Sequence, residues 1–139
     1  VSHSLVQIQI MWLLINPNWA TYITLPEYWP LQSDYACLAD LADMLKSSPT
    51  PMSTAHILEL MRDSIHANAI NQLMRHVSQY MEGFMNASPE DEQGFQDGMQ
   101  RLLKELKAQQ IQDLVLKNST VGLSNDENRL LVALISDRP

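Results

Sequence analysis

A chain of 139 residues with 45% hydrophobic side chains is long enough for one domain, or one domain with a small appendage, and can bury a real core. Glycine is scarce at 4 residues while Leu, Ala, Met and Gln are common, a balance that favours helix. A formal net charge of −7 disfavours direct contact with nucleic-acid backbones, and no apolar run reaches the length of a membrane span.

The charge is uneven. Up to Leu106 there are 12 acidic and 5 basic side chains, whereas beyond it Lys107, Lys117, Arg129 and Arg138 balance Asp113, Asp126, Glu127 and Asp137. The front carries the acid and the last segment is neutral, as a docking surface can be. The single cysteine, Cys37, has no internal partner and lies in an apolar helical run, so it reads as a buried core residue in a reducing, cytoplasmic setting. The apolar stretch Ile8 to Ile15 lacks the basic flank and cleavage site of a signal peptide. A first residue of Val rather than Met suggests a piece of a longer protein.

In chain order, a first helix is expected from about Ser4 to Ile15, ended by Asn16-Pro17, because proline disfavours helical geometry at the residue before it. Asn18 is placed to cap a short helix over Trp19–Tyr22. The stretch Leu25 to Pro30 holds prolines at 26 and 30 and reads as an extended connector whose aromatics pack on the core. Ser33 or Asp34 is expected to cap a third helix carrying Tyr35, Leu38, Leu41, Ala42 and Leu45, broken by Ser47-Ser48-Pro49-Thr50-Pro51. Ser53 or Thr54 then starts a short helix through Ile57, Leu58 and Met61, and a fifth begins near Asn68 with Ile70, Leu73, Met74 and Val77. Ser88-Pro89-Glu90-Asp91-Glu92 is a clean helix start: a capping serine, proline at the first position and acids at the positive end of the macrodipole.

The helix that follows meets no obvious break before Asn118. With Leu106 as zero and about 100° per residue, Phe95, Met99, Leu102 and Leu103 fall within about 60° of it. Past Lys107-Ala108-Gln109-Gln110, the apolar Ile111, Leu114 and Val115 fall at about 80° to 180°. One helix is thus expected to serve two neighbours, with a hinge or free shaft at 107–110. Gly122-Leu123-Ser124-Asn125-Asp126-Glu127 then opens a last apolar helix, and Ser124 and Glu127 have the spacing of a capping box. The expected fold is all-α: a helical bundle over 1–106, then the end of the long connecting helix and a C-terminal two-helix hairpin over 107–139.

Few residues suggest chemistry. His3, His56, His66 and His76 have no metal-ligand spacing, so neither metal nor cofactor is expected. Asp40/Asp43 and Glu90/Asp91/Glu92 read as solvated surface and dipole compensation rather than paired catalytic carboxylates. No Gly-rich phosphate loop, nucleophile elbow or Cys–His pair in one segment is present, so no catalytic residue is nominated. Trp12, Trp19, Trp29, Phe84 and Phe95, with Met11, Met44, Met61 and Met74, fit the core. Leu114, Val115, Leu123, Leu130, Leu131, Leu134 and Ile135 cannot all be buried between two short helices, and an exposed apolar patch there marks a partner site.

The run Leu14-Ile15-Asn16-Pro17-Asn18-Trp19-Ala20 resembles the leucine-leucine-x-Asn-Pro-x-x-Ala segment near the start of the helicase-binding domain of bacterial DnaG-type primases. The long acid-capped helix followed by Gly122-Leu123-Ser124-Asn125-Asp126-Glu127 is similar to that domain's terminal hairpin, and the resemblance covers essentially the whole chain. It implies a non-catalytic docking module that binds the N-terminal domain of the replicative DnaB-type helicase, recruits primase to the fork and modulates both activities. The parent protein would be a DNA-directed RNA polymerase acting in the bacterial replisome, with its zinc and catalytic domains outside this chain. The implied partner-binding residues are Leu114, Lys117, Leu123, Arg129, Leu130 and Leu134, on a monomer or a hairpin-swapped dimer in a crystal. Two departures bear on this: the chain ends Asp137-Arg138-Pro139 where some members carry a lysine tail, and Asn128 stands where arginine is common. Two alternatives stand beside it. One is a helical adaptor or dimerisation module, its Phe95–Leu106 stripe facing another copy; the other is the helicase's own N-terminal domain, which would be expected to continue into a motor domain.

Overall fold

Helix α1 (Leu5–Ile15) is apolar on nearly every side, and its composition dictates its place: a helix with no polar face must be surrounded. Val6, Ile10, Met11, Leu13 and Leu14 are all buried. The computed structural model describes residues 2–80 and 86–136, so Phe84 and the 137–139 end lie outside the described residues. After α1 come a 3-10 helix (Pro17–Tyr22), α2 (Ser33–Ser47), α3 (Thr54–Leu60), α4 (Ala67–Tyr80), α5 (Pro89–Thr120) and α6 (Asn125–Ser136), with no strand among the described residues. The all-α expectation is borne out.

The chain divides into two compact units, Val1–Met99 and Gln100–Pro139, so α5 contributes to both and the division falls slightly before the expected position after Leu106. In the first unit, α1 packs against α2, α3, α4 and the 3-10 helix. A capping box starts it: Gln7 N–H donates to Ser4 Oγ at 3.3 Å, and Ser4 N–H to Gln7 Oε1 at 3.1 Å. The next helix corrects an expectation. It starts at Pro17 with Asn16 ahead of it, placing Asn18 inside, because proline lacks an N–H and its fixed φ suits the first helical position. Helix α2 likewise starts at Ser33 behind Gln32, without a side-chain cap, and Ser33 takes a positive φ of 57°. Neither Ser33 nor Asp34 caps it. Asp34 Oδ2 instead accepts from Gln7 Nε2 at 3.1 Å, an interaction between helices that no local pattern reveals.

Polar side chains tie the connectors down. Lys46 Nζ donates to the Ile23 carbonyl at 2.6 Å, Thr54 Oγ1 to the Leu14 carbonyl in the last turn of α1 at 2.6 Å and Trp29 Nε1 to the Tyr35 carbonyl at 2.7 Å. His66 Nε2 and Asp40 Oδ2 lie 2.7 Å apart. Trp12, Trp19 and Phe95 form an aromatic chain with centroid separations of 5.5 and 5.3 Å.

The first turns of α5 are set by Ser88 and Asp91, whose side chains and backbone N–H groups bond reciprocally at 3.0 and 3.1 Å. The decisive contact is Gln9, 2% exposed, whose Nε2 donates to the Phe95 carbonyl at 2.8 Å. Close approach needs Gly98, since a Cβ there would stand 2.9 Å from both polar atoms of the Gln9 amide. That amide cannot swing aside without breaking a buried hydrogen bond. Gly98→Ala should cost about 1–3 kcal/mol in denaturant unfolding, and Gln9→Ala combined with Gly98→Ala should cost less than the sum of the two single changes. Additive losses would disprove the coupling. Cys37, 1% exposed, has its thiol pushed up to about 12 by burial and then by Asp34 and Asp40. A thiol so seldom ionised should stay inert to a thiol-specific reagent at pH 8 until denaturant is added.

Candidate docking surface

The second unit, Gln100–Pro139, carries its apolar residues in a divided way. Leu114 and Leu134 are 9% and 3% exposed, while Val115, Leu116, Val121, Leu130, Val132 and Ile135 range from 37% to 78%. In the larger first unit the exposed large hydrophobics among the described residues are Tyr22, Leu31, Leu60 and Ile65. Apolar exposure is therefore concentrated in the smaller unit, as a docking surface requires.

The elbow between α5 and α6 is closely specified. Ser119 and Thr120 hydroxyls donate to the carbonyls of Leu116 and Lys117 at 2.8 and 3.1 Å. The N–H groups of Val121 and Gly122 both close on the Lys117 carbonyl at 3.0 Å, and Gly122 takes a φ of 81°, which only glycine adopts without a Cβ penalty. The expected capping box then forms: Glu127 N–H donates to Ser124 Oγ at 3.1 Å and Ser124 N–H to Glu127 Oε1 at 3.0 Å. The other oxygen of Glu127 accepts from Lys117 Nζ at 2.6 Å. One carboxylate thus starts α6 and clips it to α5.

The nominated residues separate into three roles. Leu114 and Leu134 are interior, so they hold the unit and present no surface. Lys117 is ion-paired with Glu127. Leu123 is half-buried, Leu130 is 37% exposed, and the side chain of Arg129 is 82% exposed, with Asp126 3.8 Å away. Leu116, Val121 and Val132 were not singled out in the sequence. For Val132 the missing signal was the phase of α6. With Leu134 as zero, Glu127, Leu131 and Leu130 lie within about 60°, while Ile135 and Val132 fall at about 100° and 160°. The turn of the apolar face along α5 is also smaller than expected: Ile111 is half-buried and Leu114 buried, but Val115 is 52% exposed, so the buried side moves by about 80° rather than reaching 180°. Residues 107–110 are continuous helix, and Lys107 and Gln110 are half-buried rather than a bare shaft.

The hydrogen bond from Lys117 Nζ, followed by the Ser124 N–H, lowers the Glu127 carboxyl to about 2. A depressed carboxyl contributes stability that is complete above its ordinary value near 4.5, declines as the pH falls below that and is gone once it has fallen through about 2. Lys117→Met should return the Glu127 titration, followed by carboxyl carbon NMR, part of the way toward 4.5. An unchanged midpoint would show that the ammonium is not what holds it down.

Comparison with known proteins agrees with this architecture. The family model for DNA primase DnaG DnaB-binding matches residues 6–134. The chain is 45% identical over 138 residues to a DNA primase of Neisseria meningitidis serogroup A and 44% identical over 133 residues to one of serogroup B. It covers 98% and 96% of its own length in these matches but spans only 23% and 22% of those curated relatives. The crystal structure of the DnaG primase C-terminal domain from Vibrio cholerae has the same fold, with a TM-score of 0.72 at 22% identity, over 96% of this chain and 98% of that one. The chain belongs to the DnaB-binding domain family of DnaG primases.

Proposed function

We propose that this chain is the helicase-docking module of a bacterial replicative primase, that it binds the N-terminal domain of a DnaB-type helicase, and that it thereby brings primase to the fork and modulates both enzymes in the cytoplasm. The observation that carries the reading is the concentration of exposed apolar side chains on a neutral helical hairpin within a family defined by DnaB binding. Leu123, Arg129 and Leu130 make contact, joined by Val132 and Ile135, while Leu114 and Leu134 keep the two helices together. Lys117 acts at the rim, sharing its charge with Glu127. No helix among the described residues is long and apolar enough to cross a membrane.

The two alternatives raised by the sequence are not favoured. The family match is to the primase side of this pair, which argues against the helicase's own N-terminal domain and against an unrelated adaptor. Light scattering on the isolated chain is expected to report a monomer in solution.

Calorimetric titration of the chain into the hexameric helicase of the same organism tests the proposal. Saturable binding is expected, and Leu130→Asp, Val132→Asp and Ile135→Asp should each weaken it at least about tenfold, or about 1.4 kcal/mol. Leu134→Asp should lose binding for a different reason: a charge in the interior opens the hairpin, visible as lost helical ellipticity. Wild-type affinity in all three exposed variants would remove the hairpin as the anchor.

A further inference from the structure

A cavity of about 170 Å³ opens beside the start of α1, with Ser2, His3, Gln7, Asp34, Gln72 and His76 supplying its polar lining. His3 precedes the cap of α1 and His76 projects from α4, yet their ring centroids are 4.7 Å apart with planes inclined by 43°. His3 Nε2 is buried and has no hydrogen-bond partner. A buried imidazole nitrogen left in that state is costly unless something occupies it.

The ring separation leaves room for a shared ion when a nitrogen of each ring faces it. A ring nitrogen about 2.1 Å from a divalent ion puts its ring centroid about 3.2 Å from that ion. Two such centroids 4.7 Å apart subtend about 95° at the ion, close to the right angle between neighbouring octahedral positions. Asp34 lines the same cavity, its Oδ2 held by Gln7 Nε2 at 3.1 Å. Among the described residues, no group of three or more His, Cys, Asp and Glu gathers tightly enough to ligate an ion. Asp34 is therefore a partner for ion-bound water rather than a direct ligand.

We propose that His3 and His76 form a two-imidazole site for a divalent transition-metal ion, its remaining positions filled by water facing Asp34. Imidazole selects Zn²⁺, Co²⁺, Ni²⁺ or Cu²⁺, whereas Mg²⁺ and Ca²⁺ require oxygen ligands that the cavity does not gather. Two protein ligands make an exchangeable site that staples the start of α1 to α4. It lies within the first unit and does not depend on the docking surface.

The test is calorimetric titration of the untagged, N-acetylated chain with Co²⁺, Ni²⁺ and Cu²⁺, alongside NMR of the histidine rings during Cu²⁺ addition. Acetylation matters because a free amine two residues ahead of His3 would chelate Cu²⁺ and Ni²⁺ with that ring alone. One ion per chain is expected, with affinity rising from Co²⁺ to Cu²⁺ and the His3 and His76 rings broadening first. His3→Ala and His76→Ala should each weaken binding at least tenfold, and His56→Ala, on the exposed side of α3, should not. His3 precedes the first helix, so its variant keeps the fold and the test survives a misfolded His76→Ala chain. No binding at millimolar ion, binding that persists in His76→Ala, or an equal response to Mg²⁺ would overturn the site.

Discussion

The hydrogen bond from Gln9 to the Phe95 carbonyl is the contact on which the first unit turns. Gln9 is the polar residue among the fully buried side chains of α1, and α1 is the helix against which α2, α3, α4 and the 3-10 helix all pack. An amide in that position has no solvent to fall back on, so its pairing specifies where along α5 the two helices meet. Gly98 completes the specification by letting the amide lie against the α5 backbone. The aromatic chain Trp12–Trp19–Phe95 then fills the space beside it, so the polar contact sets register and the apolar contacts supply most of the energy.

The second unit is built on the opposite plan. It is about forty residues long, in the range where a hydrophobic core alone is marginal. Its stability rests on Leu114, Leu134 and a tightly capped elbow, with an exposed ion pair of modest worth between Lys117 and Glu127. Shifting more of its leucines and valines inward would firm the hairpin and remove the surface a partner reads. Docking and stability compete for the same side chains, and local caps relieve that competition because they order the backbone without consuming apolar area.

Most of the fold was legible because it is written in local signals. Helix starts at Ser4, Ser53, Ser88 and Ser124 follow from serine spacing, and the ends at Ile15 and Ser47 follow from the prolines beyond them. The starts at Pro17 and Ser33 were displaced because each depends on a backbone angle, one fixed by proline and one left-handed, that spacing does not report. The long-range polar contacts, Gln9 to Phe95 and Gln7 to Asp34, carried no signal in the chain, since glutamine within an apolar run says only that a partner exists. In the hairpin, composition indicated that some apolar residues must be exposed. Which ones depends on the phase of α6 about Leu134, and a short helix with leucine at 130, 131 and 134 admits more than one phase. Leu134 therefore proved interior and Val132 exterior.

The 86-residue separation between Gln9 and Phe95 also bears on how the protein is made. At translation rates of about 5–20 residues per second, α1 leaves the ribosome roughly 4 to 17 s before the strand of sequence that satisfies its amide. During that interval α1, apolar on nearly every side, has no complete set of neighbours and stays exposed. The hairpin has no such delay, because Lys117 and Glu127 are ten residues apart and its caps span three. A chain arrested before Phe95 is thus exposed to aggregation through α1.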